Sequence, residues 1–210
     1  TPEDTCIYYH NNQFSTQLGK ISPGKTVTYP VKSHLKDLNR LLNHLSVPGD
    51  HNRENAEAAI LSVLAILKLE LSDLFKTKHQ NIYQKIQTGL ETFQGLPHRI
   101  QFIRELNQVR YYDDNYSSAF PATDVAIKAF ENYPTVLIAG GKDRHLNLIE
   151  MKKRLFTAKN LKKIILIGET RHLLSADEDP AKYLLAGSLE EAVAQARQFA
   201  EEYAANLDAN

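Results

Sequence analysis

Cysteine is nearly missing from this chain. One residue, Cys6, among 210 leaves no partner for an internal disulfide and suits a reducing compartment. An excess of either charge is missing too: 25 Lys and Arg balance 25 Asp and Glu. No global basic field is therefore available to hold nucleic acid. No apolar run reaches membrane-spanning length, and the first residues do not read as a signal peptide. Eight histidines and one cysteine show no zinc-ligand spacing. No G-x-S-x-G or Cys–His signature points to a nucleophile. Repeats and low-complexity stretches are lacking as well. These absences leave a cytoplasmic mixed α/β protein, with neither membrane nor nucleic acid as partner.

What is present is core and alternation. Hydrophobic residues make up 42% of the chain, enough for one large domain or two small ones. Residues 5–10 and 25–31 have the β-branched and aromatic content of short strands, separated by a turn at Gly24. From residue 52 the period changes to that of a helix, with Ala56, Ala59, Ile60, Val63, Leu64 and Leu67 on one stripe. A second helix is expected over residues 71–90, its apolar side formed by Leu74, Phe75, Ile82, Ile86 and Leu90. Gly95 and Pro97 then break the helix and mark a boundary.

Beyond the boundary the reading is strand, loop, helix, repeated. "RIQFIREL" and "QVRYYDD" form a hairpin through Asn107. "PATDVAIKAFEN" is a helix with Pro121 at its first position and Asp124 in its first turn, both favourable there. "TVLIAGG" and "KKIILIGE" are buried strands, and "LNLIEMKKRLF" is helical. "SLEEAVAQARQFAEEY" is a long helix opened by a capping box of Ser188 and Glu191. Alternating strands and helices predict an α/β fold with a mostly parallel sheet.

Four polar clusters lie at the mouths of these elements. In "PGDHNRENAEAA", Asp50, His51 and Asn52 stand where a helix begins, so free amides there can take an anionic group. Asn52 and Asn55 share a face, and each offers donor and acceptor together, as the edge of an adenine requires. An ordinary helix cap with a solvated first turn explains the same residues. In "GLPHRI", Arg99 follows a rigid turn and opens a strand, from which a guanidinium can reach phosphate. The alternative is a surface arginine paired with a carboxylate. His98 is either catalytic or a loop residue.

In "YYDDNYSSAFPATD", Asp113 and Asp114 end a strand, the place where doubly wound sheets collect ligands. A carboxylate there can accept both ribose hydroxyls, hold Mg²⁺, or orient an amine. Ser117 and Ser118 can hydrogen-bond a substrate carboxylate, although acids that merely cap and solubilise a loop read the same way. In "IAGGKDRHLN", Gly140 and Gly141 allow close backbone approach, and Lys142 and Arg144 add positive charge.

Taken in order, "HNRENAEAA", "GLPHR", "VRYYDDNYSSAFPATDVAI" and "LIAGGKDRHLNL" resemble the Mur ligases, and among them the members that add D-glutamate to UDP-N-acetylmuramoyl-L-alanine in peptidoglycan synthesis. The resemblance implies ATP-dependent amide ligation through an acyl phosphate, stabilised by Mg²⁺ and clamped cations. It implies that Asn52 and Asn55 contact adenine, Arg99 the ATP phosphates, and Asp114 the ribose. Ser118, where relatives carry threonine, and Arg144, where they usually carry lysine, would hold the D-glutamate carboxylates. Asp114 and Arg144 are thereby the catalytic candidates, and a monomer is expected. A sister ligase for another amino acid, or a catalytically silent nucleotide-binding module, remains open.

Departures from the pattern belong to the same reading. Tyr116 stands where relatives often have lysine, and a tyrosine supplies no positive charge at neutral pH. Both ends of the chain read as cut. The family's UDP-binding domain, P-loop, Mg²⁺ ligands and modified lysine would precede Thr1, and a last strand would follow Asn210. Residues 1–95 would then be the back half of the central ATP-binding domain, and 96–210 an incomplete C-terminal Rossmann-like domain.

Overall fold

A computed structural model describes residues 1–31, 35–145 and 148–208. It divides into two compact units, Thr1–Gln94 and Gly95–Asn210.

The first unit opens with β1 (Thr5–Tyr9), α1 (Gln13–Ile21) and β2 (Lys25–Tyr29). The strands pair in parallel, from Thr5 opposite Lys25 to Tyr9 opposite Tyr29. Parallel strands cannot be joined by a tight turn, so the connection must cross over, and α1 is that crossover. The turn expected at Gly24 is therefore corrected to a βαβ unit. Helix α1 begins where Asn12 accepts a hydrogen bond from the Ser15 N–H at 3.0 Å. It carries Phe14, Leu18 and Ile21 on its exposed side, which hides its period from a search for a buried stripe.

The rest of the unit is helical: α2 (Leu35–Leu42), α3 (Asp50–Ile66), α4 (Leu71–Leu74), a 3₁₀ turn at Thr77–His79, and α5 (Gln80–Thr92). Leu38, Leu41 and Leu42 of α2 meet Ala56, Ile60 and Leu64 of α3, Leu74 of α4 and Leu90 of α5 in one core. The expected α3 stripe is only half buried, because Ala59, Val63 and Leu67 are exposed. Glu57 and Leu61, one turn apart, are buried instead, since α3 packs against α2 and also against β1 and β2. The Glu57 carboxylate accepts the Val31 N–H, and burial pushes its pKa up against that hydrogen bond. The single helix expected over 71–90 is broken in three. Asp73 turns its carboxylate back to the Glu70 N–H at 3.0 Å and to Lys76 at 2.7 Å, closing a capping box around α4.

The second unit comprises β3 (Gln101–Leu106), β4 (Val109–Asp113), α6 (Phe120–Ala129), β5 (Thr135–Gly141), α7 (Ile149–Thr157), β6 (Leu161–Gly168), α8 (Arg171–Ser175), β7 (Tyr183–Leu185) and α9 (Leu189–Asp208). Strands β5, β6 and β7 make a parallel sheet in that order. Alternate residues of β6 face opposite sides, as a strand's period of two requires. Ile164 and Leu166 join Ile127, Leu155, Phe156 and Leu174 from α6, α7 and α8. Ile165 joins Ala192 of α9 on the other face. Both faces are covered, which is the Rossmann-like arrangement the alternation predicts.

Two local readings differ. The hairpin expected through Asn107 forms, with Gln108 in the turn rather than in the strand; both have positive φ (50° and 63°), as a two-residue turn of the primed type demands. Among the described residues, however, β4 pairs only with β3, so Asp113 ends an antiparallel ribbon rather than a strand of the parallel sheet. Asp124 lies beyond the first turn of α6. It binds Lys128 and Arg154 at 2.7 Å each, tying α6 to α7. Leu146 and Asn147, which open the expected 146–156 helix, lie outside the described residues.

Candidate functional site

The turn carrying Arg99 and the loop carrying the two aspartates are built as one piece. Gln101 and Asp113 are register partners in the hairpin, so the segments flanking them run side by side. The Ile100 N–H donates to Oδ1 of Asp114 at 3.1 Å, and the Ser117 hydroxyl donates to Oδ2. His98 donates from Nδ1 to Oδ2 of Asp113 at 2.7 Å, and the Asn115 N–H donates to Oδ1 at 3.0 Å. The hydrogen bond from His98 holds the Asp113 carboxyl below the ordinary aspartate value. The Tyr116 N–H closes the circuit by donating to the His98 carbonyl at 3.0 Å.

Both acids thus cap the loop, as one of the two sequence readings had it. A carboxylate oxygen has more than one acceptor site, so Asp114 can still receive further donors. Arg99 is exposed, and its guanidinium has no partner among the described residues. The surface ion pair considered for it is not found there. Ser118 is exposed, its N–H given to the Tyr116 carbonyl at 2.8 Å. Tyr116 is 62% exposed, with its ring 6.1 Å from that of His98.

Backbone strain marks the same turn. His98 and Ile100, on either side of Arg99, have φ of 60° and 45°. That region disfavours side chains, above all β-branched ones, at about 1–3 kcal/mol each. Burial of the Ile100 side chain and the hydrogen bonds just named offset the cost.

A second turn stands at the carboxyl end of β5. Gly140 and Gly141 have φ of 111° and 142°, and a Cβ on Gly140 would fall on the Ile167 carbonyl oxygen of β6. The backbone here admits glycine alone. Sequence patterns do not reveal what braces this turn from the end of β6. The Thr170 N–H donates to the Gly141 carbonyl at 3.2 Å, and the Asp143 N–H donates to Glu169 at 3.0 Å. Glu169 follows a glycine and looks like a solvated charge. Only its position beside β5 signals its use. Lys142 and Arg144 extend from the braced turn into solvent.

Asn52 and Asn55 belong to the first unit. Helix α3 begins after Gly49 with no side-chain cap on its first N–H groups. Asn52 does not cap them, because its side-chain amide donates back to the Pro48 carbonyl at 2.7 Å. Asn55 is exposed three residues on. The Asn52 N–H donates to the Gly49 carbonyl at 3.0 Å, and no side chain caps this helix start. Among the described residues no group of three or more His, Cys, Asp or Glu side chains stands together to hold a metal ion. No helix among them is long and apolar enough to cross a membrane.

No protein-family model matches the chain. Curated relatives do. UDP-N-acetylmuramoylalanine--D-glutamate ligase of Enterococcus faecalis is 33% identical over 188 residues, covering 83% of this chain and 38% of the relative. The enzyme of the same name from Thermoanaerobacter pseudethanolicus is 37% identical over 166 residues, 77% of this chain and 33% of the relative. That from Streptococcus gordonii is 35% identical over 159 residues, 75% of this chain and 32% of the relative. The chain spans about a third of the length of these relatives. Among solved structures, UDP-N-acetylmuramoylalanyl-D-glutamyl-2,6-diaminopimelate--D-alanyl-D-alanyl ligase from Acinetobacter baumannii matches with a TM-score of 0.64. It is 18% identical and covers 96% of this chain and 46% of that one, a likeness of fold alone. The ordered motifs, the parallel sheet covered on both faces, and identity of a third or more to ligases of one name agree: this chain belongs to the Mur ligase family.

Proposed function

We propose that the chain is the part of a D-glutamate-adding ligase that takes up nucleotide and amino acid. The whole enzyme would join D-glutamate to UDP-N-acetylmuramoyl-L-alanine in cytoplasmic peptidoglycan synthesis, using ATP and an acyl phosphate. In this reading Thr1–Gln94 is the back half of the central ATP-binding domain and Gly95–Asn210 most of the C-terminal one.

The observation that carries the reading is the turn at Arg99. Its backbone is strained and tied to Asp114, while its guanidinium has no partner among the described residues. An exposed cation on a turn whose backbone is braced by Asp114 suits a nucleotide, with phosphates on Arg99 and ribose hydroxyls on Asp114. Asn52 and Asn55, at the uncapped start of α3, suit the edge of adenine. Ser118 and Arg144 would receive the two carboxylates of D-glutamate, the cation also stabilising charge as the amine attacks. In the whole enzyme Mg²⁺ would neutralise the charge that develops on the phosphates.

The test is ATP-dependent incorporation of labelled D-glutamate by a protein that carries this chain at the length of its relatives. Incorporation of D-glutamate in preference to other amino acids supports the reading, and no incorporation overturns it. One feature favours a silent nucleotide-binding module instead: Tyr116 exposes a phenol where a cation would serve phosphate. Tyr116→Lys raising ATP affinity or rate would favour that alternative, and no change would remove its motive.

A further inference from the structure

We propose that His98 and Asp113 form a positioning pair that fixes Arg99 for the phosphate chain of a nucleotide. This rests on the nucleotide reading above and adds residues to it that touch no substrate.

The residues around Arg99 divide sharply. Its own N–H donates to the Leu96 carbonyl at 3.1 Å. His98 before it is held at three points: N–H to Oε1 of Gln101 at 3.0 Å, carbonyl from the Tyr116 N–H at 3.0 Å, and Nδ1–H to Asp113 at 2.7 Å. Ile100 after it is held by Asp114 at 3.1 Å and by burial of its side chain. Every backbone neighbour is anchored, and the one long cationic side chain between them is tied to nothing among the described residues.

A surface arginine needs none of this. Two side-chain-bearing residues at positive φ persist only where surrounding contacts hold them there. A cation that must meet a ligand in one geometry does gain from such a frame, because less freedom is lost on binding. Asp113 is the joint of the frame. Its Oδ2 takes His98 and its Oδ1 takes the Asn115 N–H, so one carboxylate ties the turn to the loop that carries Asp114. His98 also has its ring beside that of Tyr116, at 6.1 Å, and both residues are exposed.

The experiment uses a protein that carries this chain at the length of its relatives and chemical-shift titration with ATP, which reads affinities into the millimolar range. Amide hydrogen exchange at Ile100 and Tyr116 is followed in the same samples. His98→Ala and Asp113→Ala are expected to weaken ATP about tenfold, close to the effect of Arg99→Ala, and to speed exchange at both amides. His98→Asn should recover most of the affinity, because asparagine tolerates the left-handed backbone and its amide can donate to Asp113. In an Arg99→Ala background, His98→Ala should cost almost nothing more, as residues acting through one another are not additive. Equal weakening in both backgrounds overturns the pair, and so does unchanged affinity in His98→Asn and His98→Ala alike where Arg99→Ala binds poorly. A wild-type protein of that length that shows no ATP-dependent shifts overturns the nucleotide reading, and the pair with it.

Discussion

The backbone N–H of Ile100 donates to Oδ1 of Asp114 across 3.1 Å, joining residues fourteen positions apart. Ile100 is 5% exposed, so water cannot readily replace that acceptor. The same carboxylate takes the Ser117 hydroxyl, and one side chain therefore shapes both the turn before β3 and the loop after β4.

Asp114→Ala leaves the Ile100 amide without a partner and should cost about 1–3 kcal/mol of stability. Asp114→Asn keeps an acceptor oxygen and should cost less. Urea unfolding of the two variants checks the order, and equal losses would contradict the hydrogen-bond account.

Gly140 and Gly141 separate conformational strain from collision. Both have positive φ, so alanine at either is strained by about 1–3 kcal/mol. Only at Gly140 would the new Cβ also meet the Ile167 carbonyl, whereas none stands within 4 Å at Gly141. Thermal unfolding should show Gly140→Ala as the more damaging change.

Glu57 sets a pH dependence of definite sign. Burial raises its pKa above 4.5, so the native state keeps a proton that the unfolded chain releases. Stability from this group is fullest below pH 4.5 and declines as pH rises through the raised value. Glu57→Gln retains an oxygen for the Val31 N–H and should flatten that decline. A wild-type slope in the variant would exclude Glu57 as its origin.

Arg154 and Asp124, at 2.7 Å and largely shielded, should couple α6 to α7. A double-mutant cycle with alanine at each position is expected to give about 1 kcal/mol of interaction. Lys128 also binds Asp124, so Arg154→Ala alone should cost less than Asp124→Ala.

In an enzyme of the relatives' length, Arg144→Ala and Ser118→Ala should raise KM for D-glutamate. Arg99→Ala should instead raise KM for ATP by about tenfold or more. Steady-state kinetics varying one substrate at a time distinguishes them, and a crossed pattern would reverse the assignments.

Some of this was legible residue by residue. Asn107 between two β-branched and aromatic runs announced the hairpin. The continuous apolar runs of β5 and β6 announced buried parallel strands. The capping box of α9 was half right: Ser188 accepts the Glu191 N–H at 3.1 Å, but Glu191 returns to the Gly187 N–H at 2.6 Å. Helix α1 escaped notice because its large apolar residues face outward, and periodicity finds helices by the stripe they bury. The break after α4 escaped for a different reason: the apolar spacing continues across it while Asp73 caps the chain locally.

For the site, residue types were readable and their relations were not. Arginine in a rigid turn, paired acids and a glycine pair each announce a chemistry through charge and backbone freedom, which are properties of a few consecutive residues. Which acid holds Ile100, which histidine holds Asp113, and how Glu169 steadies the turn at Asp143 depend on chains meeting far apart in sequence. Composition and local pattern settled the kind of protein and its candidate groups, because propensity and period act over a turn or two. Tertiary structure alone decided the partners, because a hydrogen bond is set by distance in space and spacing along the chain does not report it.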